Sequence, residues 1–158
     1  MIEIEISEEI LNKAEEYAEK QQLKIPSEKP QEQFLRLKIE KIGEEIGKEA
    51  LKILKIPYDY INDTIVIFPN TLKQKTIEFK TLWELYHTRI QIPKDVFISK
   101  PRDIYIGIKL RLEINRAYIY GYITYEELAK LHPIKDFGEG PVYWAYLYEL
   151  HPLEELIK

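Results

Sequence analysis

The stretch that most constrains the fold is residues 59–81, DYINDTIVIFPNTLKQKTIEFKT. Thr64 to Phe68 and Thr76 to Thr81 are β-branched and aromatic, and Pro69-Asn70 supplies turn chemistry between them, so the stretch reads as two strands joined by a turn. Pairing that is symmetric about the 69–74 loop sets Asp63 opposite Lys80 and Ile65 opposite Glu78. Strand side chains alternate faces, so Asp63, Glu78 and Lys80 then share one surface. Asp59 has the same parity but lies farther from the glutamate, at or before the start of the strand, and is the alternative acid.

Upstream, Ser7 is an N-cap for a helix over residues 7–22, with Ile10, Ala14, Tyr17 and Ala18 at helical spacing. Residues 24–33, with Pro26 and Pro30, form a connector. A second helix from Gln33 to Lys55 carries Leu35, Ile39, Ile42, Ile46, Ala50 and Ile53 as one apolar stripe, and Pro57 ends it. Gly43 and Gly47 interrupt this helix, which weakens it unless close packing against a sheet needs the space. At about 100° per residue, Glu49 lies nearest the apolar arc, Glu45 next, and Glu44 well out in solvent. Glu49 is therefore the helix candidate for a site, with Glu45 as the alternative.

Downstream, residues 82–88 are a short helical or irregular segment, and Arg89 to Phe97 is a proline-containing approach to the next strand. That strand spans residues 103–110, with Ile104, Ile106, Ile108 and Leu110 on one face, and its antiparallel partner spans 117–123. Thr124 and Glu127 form a capping box that opens a short helix. Val142 to Tyr148 is an aromatic strand-like run before a short terminal helix. The Asp-Phe-Gly at 136–138 reads as a turn, and Leu-His-Pro, at 131–133 and 150–152, reads as a coincidental repetition. The expected architecture is α/β, a mixed sheet of about five strands flanked by helices with the N-terminal helices packed on it. At 158 residues one domain is expected, with 1–33 as N-terminal helix and connector and 34–158 as the core.

Composition narrows the chemistry. The absence of cysteine excludes disulfides, thiolate zinc sites and cysteine nucleophiles. No apolar run is long enough to span a bilayer, and the acidic MIEIEIS is no signal peptide, so a cytoplasmic protein without a membrane partner is expected. Abundant Ile, Glu, Lys and Tyr with one Met lean toward a thermophilic source. A net charge of −4 counts against a broad nucleic-acid surface but leaves room for a basic strip beside a metal site. The three histidines fit no metal-ligand spacing.

Two carboxylates and an ammonium on one surface suit phosphodiester hydrolysis. Hard oxygen donors hold Mg²⁺, which neutralises the phosphate and activates water, and a lysine two residues after the glutamate can orient that water. Glu-x-Lys on an exposed strand is otherwise a surface ion pair worth little. The order of helix, strand beginning with Asp63, return strand ending Glu78-Phe79-Lys80 and then a long apolar strand resembles the PD-(D/E)XK nuclease superfamily, over roughly residues 35–125. That resemblance implies a restriction-endonuclease-like core of helix, three-stranded meander, helix and strand. It implies Asp63 and Glu78 as ligands of Mg²⁺ or Mn²⁺, the Phe79 carbonyl as a further ligand, Lys80 positioning the nucleophile, and Glu49 or Glu45 as the helix acid. DNA is the implied partner, through endonuclease chemistry, and a homodimer is common in that superfamily. Some of its members have lost catalysis, so the alternative is an inactive nucleic-acid-binding or assembly protein. No Pro-Asp dipeptide occurs: Asp63 follows Asn62, and Asp59 follows Tyr58. Lys73, Lys75 and Arg89 are candidate nucleic-acid contacts, as are Lys100, Arg102, Lys109, Arg111 and Arg116 around the later strands. His87, Glu84 and Tyr86 follow the hairpin closely enough to reach its site.

Overall fold

The computed structural model describes residues 1–69 and 73–157. α1 (Glu8–Lys24) starts where expected, because the Ser7 hydroxyl accepts a hydrogen bond from the Ile10 N–H. α2 (Pro30–Ile53) starts at a proline, whose missing N–H is no loss in the first turn. Its stripe of Ile39, Ile42, Ile46 and Ala50 is buried.

The sheet is mixed, as expected, but larger than five strands. β1 (Ile2–Glu5), β2 (Tyr58–Ile61), β3 (Thr64–Ile67), β4 (Lys75–Leu82), β6 (Ile104–Arg111) and β7 (Arg116–Thr124) form one sheet in the order β1-β7-β6-β4-β3-β2. β5 (Arg89–Pro93), β8 (Lys135–Asp136) and β9 (Pro141–Tyr146) form a second, in the order β5-β9-β8. β4 and β6 are parallel, joined by a crossover that holds β5 and α3 (Lys94–Ser99); the other pairs are antiparallel. The run from Arg89 to Phe97 is therefore a strand and a helix, not a mere approach. The N-terminal run alternates Ile and Glu, and Ile2 and Ile4 turn inward on β1.

α4 (Tyr125–Leu131) opens on the expected capping box of Thr124 and Glu127. Between β6 and β7, Gly107 faces Gly121 and Ile108 faces Ile119, so Tyr120 is the extra residue of a bulge. Gly121 has φ +147, and a Cβ there would lie 2.0 Å from the His151 carbonyl oxygen. That close approach lets Tyr122 and His151 exchange two backbone hydrogen bonds of 2.8 Å, which pins the C-terminal segment to β7.

β6 is buried on both faces. Ile104, Ile106, Ile108 and Leu110 enter a core under α1 and α2, as the period-two pattern requires. Tyr105 enters a second core with Ile90, Ile92, Phe97 and Leu128 on the opposite side. No helix among the described residues is long and apolar enough to cross a membrane.

Candidate active-site cleft

Two features of the chain open a cleft beside β4. The first is the approach of α2. A Cβ on Gly43 would stand 1.9 Å from the Thr81 hydroxyl, and one on Gly47 would stand 2.3 Å from the Phe79 ring. The two glycines thus serve the tight helix-to-sheet packing expected of them, and they bring α2 directly over the strand that carries Glu78-Phe79-Lys80.

The second is the register of the meander, which differs from the one expected. Asn62 and Asp63 have φ of +51° and +64° and form a two-residue turn between β2 and β3, in the left-handed conformation that Asn and Asp tolerate. β3 then pairs with β4 as Ile65–Ile77, Val66–Thr76 and Ile67–Lys75. Ile65 faces Ile77 rather than Glu78, and Asp63 is a turn residue rather than a strand partner of Lys80. Asn70 of the expected turn lies outside the described residues. Because β3 begins at Thr64, β4 runs on from Phe79 to Leu82 with β6 on one side and no strand of the described residues on the other.

This gap is a cleft of about 330 Å³. Glu40 and Glu44 of α2, Asp63 of the turn, Glu78 and Lys80 of β4, and Arg102 line it. The structure therefore places Asp63, Glu78, Phe79 and Lys80 at one site, although by a different register from the expected one. Burial raises the Glu40 carboxyl above the ordinary glutamate range, against the nearby cations of Lys80 and Arg36 and with the negative Glu78. Glu40 as a residue is exposed, and its carboxyl senses both Glu78 and Lys80. Burial also pushes the Tyr105 hydroxyl up to about 12; Tyr105 pairs with Glu78 across β4 and β6, and its oxygen accepts from the Arg102 N–H at 3.3 Å.

The other acids expected at the site are elsewhere. Glu49 ion-pairs with Lys52 at 3.7 Å and lines a different cleft beside Ser7 and Ile10, with its side chain 47% exposed. Glu45 is the most buried of the three glutamates at 44, 45 and 49, held by Lys13, Lys41 and Lys48 at 3.2–3.5 Å. Its lysines outweigh burial and keep its pKa below the ordinary range. Glu44 is not in open solvent: it accepts the Tyr60 hydroxyl and pairs with Lys41 and Lys48. Asp59, on β2, accepts the Tyr60 N–H at 2.7 Å and does not line the cleft. By contrast, no ion pair within 4 Å among the described residues engages Asp63, Glu78 or Lys80.

Glu40 is the acid that the sequence reading missed. The signal was present: Gly43 and Gly47 mark the helix face that meets β4, and Glu40, three residues before Gly43, falls on that face. Counting from the apolar stripe instead pointed to Glu49.

The basic candidates also separate. Lys75 and Arg102 line a neighbouring cleft with Asp103 and Thr124, and Arg102 borders the acidic cleft as well. Lys73 is exposed. Arg89 stacks its guanidinium 3.7 Å from the Phe137 ring centroid and, with Glu84, Tyr86 and His87, lines a cleft that shares Lys80 with the acidic one. Lys109 is no phosphate contact: it is buried and donates to backbone carbonyls. Arg111 pairs with Glu113, and Arg116 with Glu3 and Glu5. Asp136 accepts from the N–H groups of Gly138 and Gly140, so the Asp-Phe-Gly run is indeed a turn. Compared with family models, curated proteins and solved structures, the chain has no significant match in any of the three.

Proposed function

We propose that the chain is a nuclease that hydrolyses DNA phosphodiester bonds with Mg²⁺ or Mn²⁺. The observation that carries this reading is the convergence of Glu40, Asp63, Glu78 and Lys80 on one cleft from a helix, a turn and a strand. The chain path lends support: α2, the meander β2-β3-β4, a crossover holding α3, and β6 parallel to β4 follow the helix, meander, helix, strand order of the PD-(D/E)XK core that the sequence resembles.

The donor set is all oxygen, which suits Mg²⁺ or Mn²⁺ over softer metals. Among the described residues no three acidic or histidine side chains form a ready-made cage. Mg²⁺ does not require one, because it binds through one or two carboxylates, keeps several waters and takes further oxygens from the substrate phosphate. A metal ion held there would neutralise the scissile phosphate and lower the pKa of the attacking water. Asp63 and Glu78 would hold it through their side chains, with the Phe79 carbonyl as a backbone donor. Lys80 holds the water in line and offsets the charge that builds on phosphorus. Glu40, its affinity for protons raised by burial, accepts the proton that the water loses. The water oxygen bonds to phosphorus as the bridging ester bond breaks, and the leaving oxygen takes a proton from solvent.

The test is cleavage of circular and linear DNA with Mg²⁺ or Mn²⁺. Glu78→Ala and Lys80→Ala each lower the rate about 100-fold or more. Cleavage that survives Glu78→Ala rejects the site. DNA retained in a salt-sensitive manner but never cut supports the non-catalytic binding protein instead.

A further inference from the structure

Past Lys80 the acidic cleft runs on into a second one of about 390 Å³, lined by Lys80, Thr81, Trp83, Tyr86, His87 and Arg89. Metal-assisted hydrolysis does not need this space, yet its wall is built with care. Lys109 reaches it from β6, is only 7% exposed, and donates to the carbonyl oxygens of Glu84, Leu85 and His87, the last two at 3.3 and 2.6 Å. An ammonium has three donors, and all three are spent on fixing this one loop. Burial, with the neighbouring Arg111, holds the Lys109 pKa below the usual lysine range, so fixing the loop works against solvation of the cation.

The fixed loop presents aromatic surface. Tyr86 is 75% exposed and stands edge-on to His87 at 4.8 Å between centroids; His87 stands edge-on to Trp83 at 5.4 Å. Burial and the Lys109 cation hold His87 below the usual histidine range, which disfavours the charged ring. Aromatic surface and the cations of Lys80 and Arg89 together suit a planar heteroaromatic ring tethered to a phosphate. A base inside a duplex is stacked on both faces and cannot enter such a cleft.

We infer that this second cleft is a subsite for an unpaired nucleotide of DNA, adjoining the phosphodiester that lies over Glu78 and Lys80. This rests on the nuclease reading, and it deepens that reading by naming the substrate class as DNA with a single-stranded segment. Tyr86 is the stacking platform, Arg89 meets the flanking phosphate, and Lys109 is a positioning residue that holds the loop.

Trp83 supplies a direct reporter, because the chain has two tryptophans and the other, Trp144, is stacked on His132 and does not line this cleft. The probes are an oligothymidylate of about eight nucleotides, a length within one single-strand binding site, and a blunt duplex of equal length, with Ca²⁺ in place of Mg²⁺ to prevent cleavage. The Trp144→Phe protein isolates the Trp83 signal. The expected result is quenching of Trp83 by the oligothymidylate, tighter binding of that probe than of the duplex, and a loss of about tenfold in its affinity in Tyr86→Ala with retention in Tyr86→Phe. Equal binding of both probes, or equal loss of both in Tyr86→Ala, overturns the inference. If Mg²⁺-dependent cleavage of blunt duplex proceeds without dependence on Tyr86, the subsite falls and the nuclease reading stands. If quenching depends on Tyr86 but no DNA is ever cut, the subsite stands as a binding site and the nuclease reading falls.

Discussion

Glu40 differs from the other glutamates of α2 in what surrounds its carboxyl. Glu45 sits among three lysines and Glu44 among a tyrosine and two lysines, whereas burial dominates at Glu40 and raises its pKa. A carboxyl whose pKa is higher in the folded than in the unfolded state binds protons better when folded, so its stabilising share is present below the ordinary value of 4.5 and is lost as pH rises through the raised value. Glu40→Gln is therefore expected to raise the Tm at pH 7 and to leave it unchanged at pH 4, while lowering metal-dependent cleavage about 10- to 100-fold. Thermal melts at the two pH values, set beside a cleavage assay, check this. A variant that melts lower at pH 7 shows that the carboxyl serves the fold, not the cleft. At this scale the sequence showed Glu78 and Lys80 plainly, because two residues apart on a strand share a face whatever the register. Asp63 was legible as a type but not in position, since its turn conformation is set by Asn62 and by the pairing of β2 with β3. Glu40 was hidden because the helix has two inward faces, one apolar and one of glycine.

At the scale of elements, the cleft depends on how closely α2 rides on β4. Alanine in place of Gly43 gains about 1 kcal/mol in helix propensity. Against this, its Cβ would stand 2.8 Å from the Thr81 Cβ, which no rotamer change relieves, and overpacking of this kind costs about 1–3 kcal/mol. The overpacking is the larger effect, so Gly43→Ala is expected to be destabilising in urea melts by about 1 kcal/mol. Thr81→Ala removes the hydroxyl at 1.9 Å and the methyl at 2.9 Å, so the double variant is expected to recover at least about 0.5 kcal/mol relative to the sum of the two changes. Strict additivity would mean that α2 does not pack on Thr81. Most elements here were legible because their signals are local: the Ser7 cap, the Thr124–Glu127 capping box and the period-two run of β6. The register of the meander was not, because the two-residue turn at Asn62-Asp63 is as good a hairpin signal as the loop at 69–74, and the two turns set different registers. β5 was missed because its partner, β9, is more than forty residues away along the chain.

At the scale of the molecule, the last third of the chain closes the second core, and its two Leu-His-Pro tripeptides are part of the closure. His132 donates to Glu149 at 2.8 Å, next to the second tripeptide, and His151 donates to Glu127, about one helical turn before the first. Glu127 also caps α4, and Glu149 accepts the Tyr146 N–H at 2.9 Å. The crossed pairs thus tie the end of α4 to the C-terminal segment, which Tyr122 and His151 also pin through their backbones. A tripeptide repetition could not reveal this from sequence, since the partners are 17 and 24 residues away. At both glutamates burial works to raise the pKa, but the hydrogen bonds from histidine and from the backbone outweigh it and hold the carboxyl below the ordinary 4.5. A group whose folded pKa is lowered contributes stability that is present above its unfolded value and is lost as pH falls through the folded one. The urea midpoint of the intact chain is therefore expected to hold from pH 7 down to about 5 and to fall below the 4.5 that marks the unfolded glutamate. Glu127→Gln with Glu149→Gln lowers the midpoint at pH 7 and makes that fall shallower, because two of the carboxylates with lowered pKa, alongside Glu45, no longer titrate. Urea melts across that range, on both proteins, decide the point: an identical pH profile in the double variant would show that the crossed pairs do not hold the C-terminal segment in place.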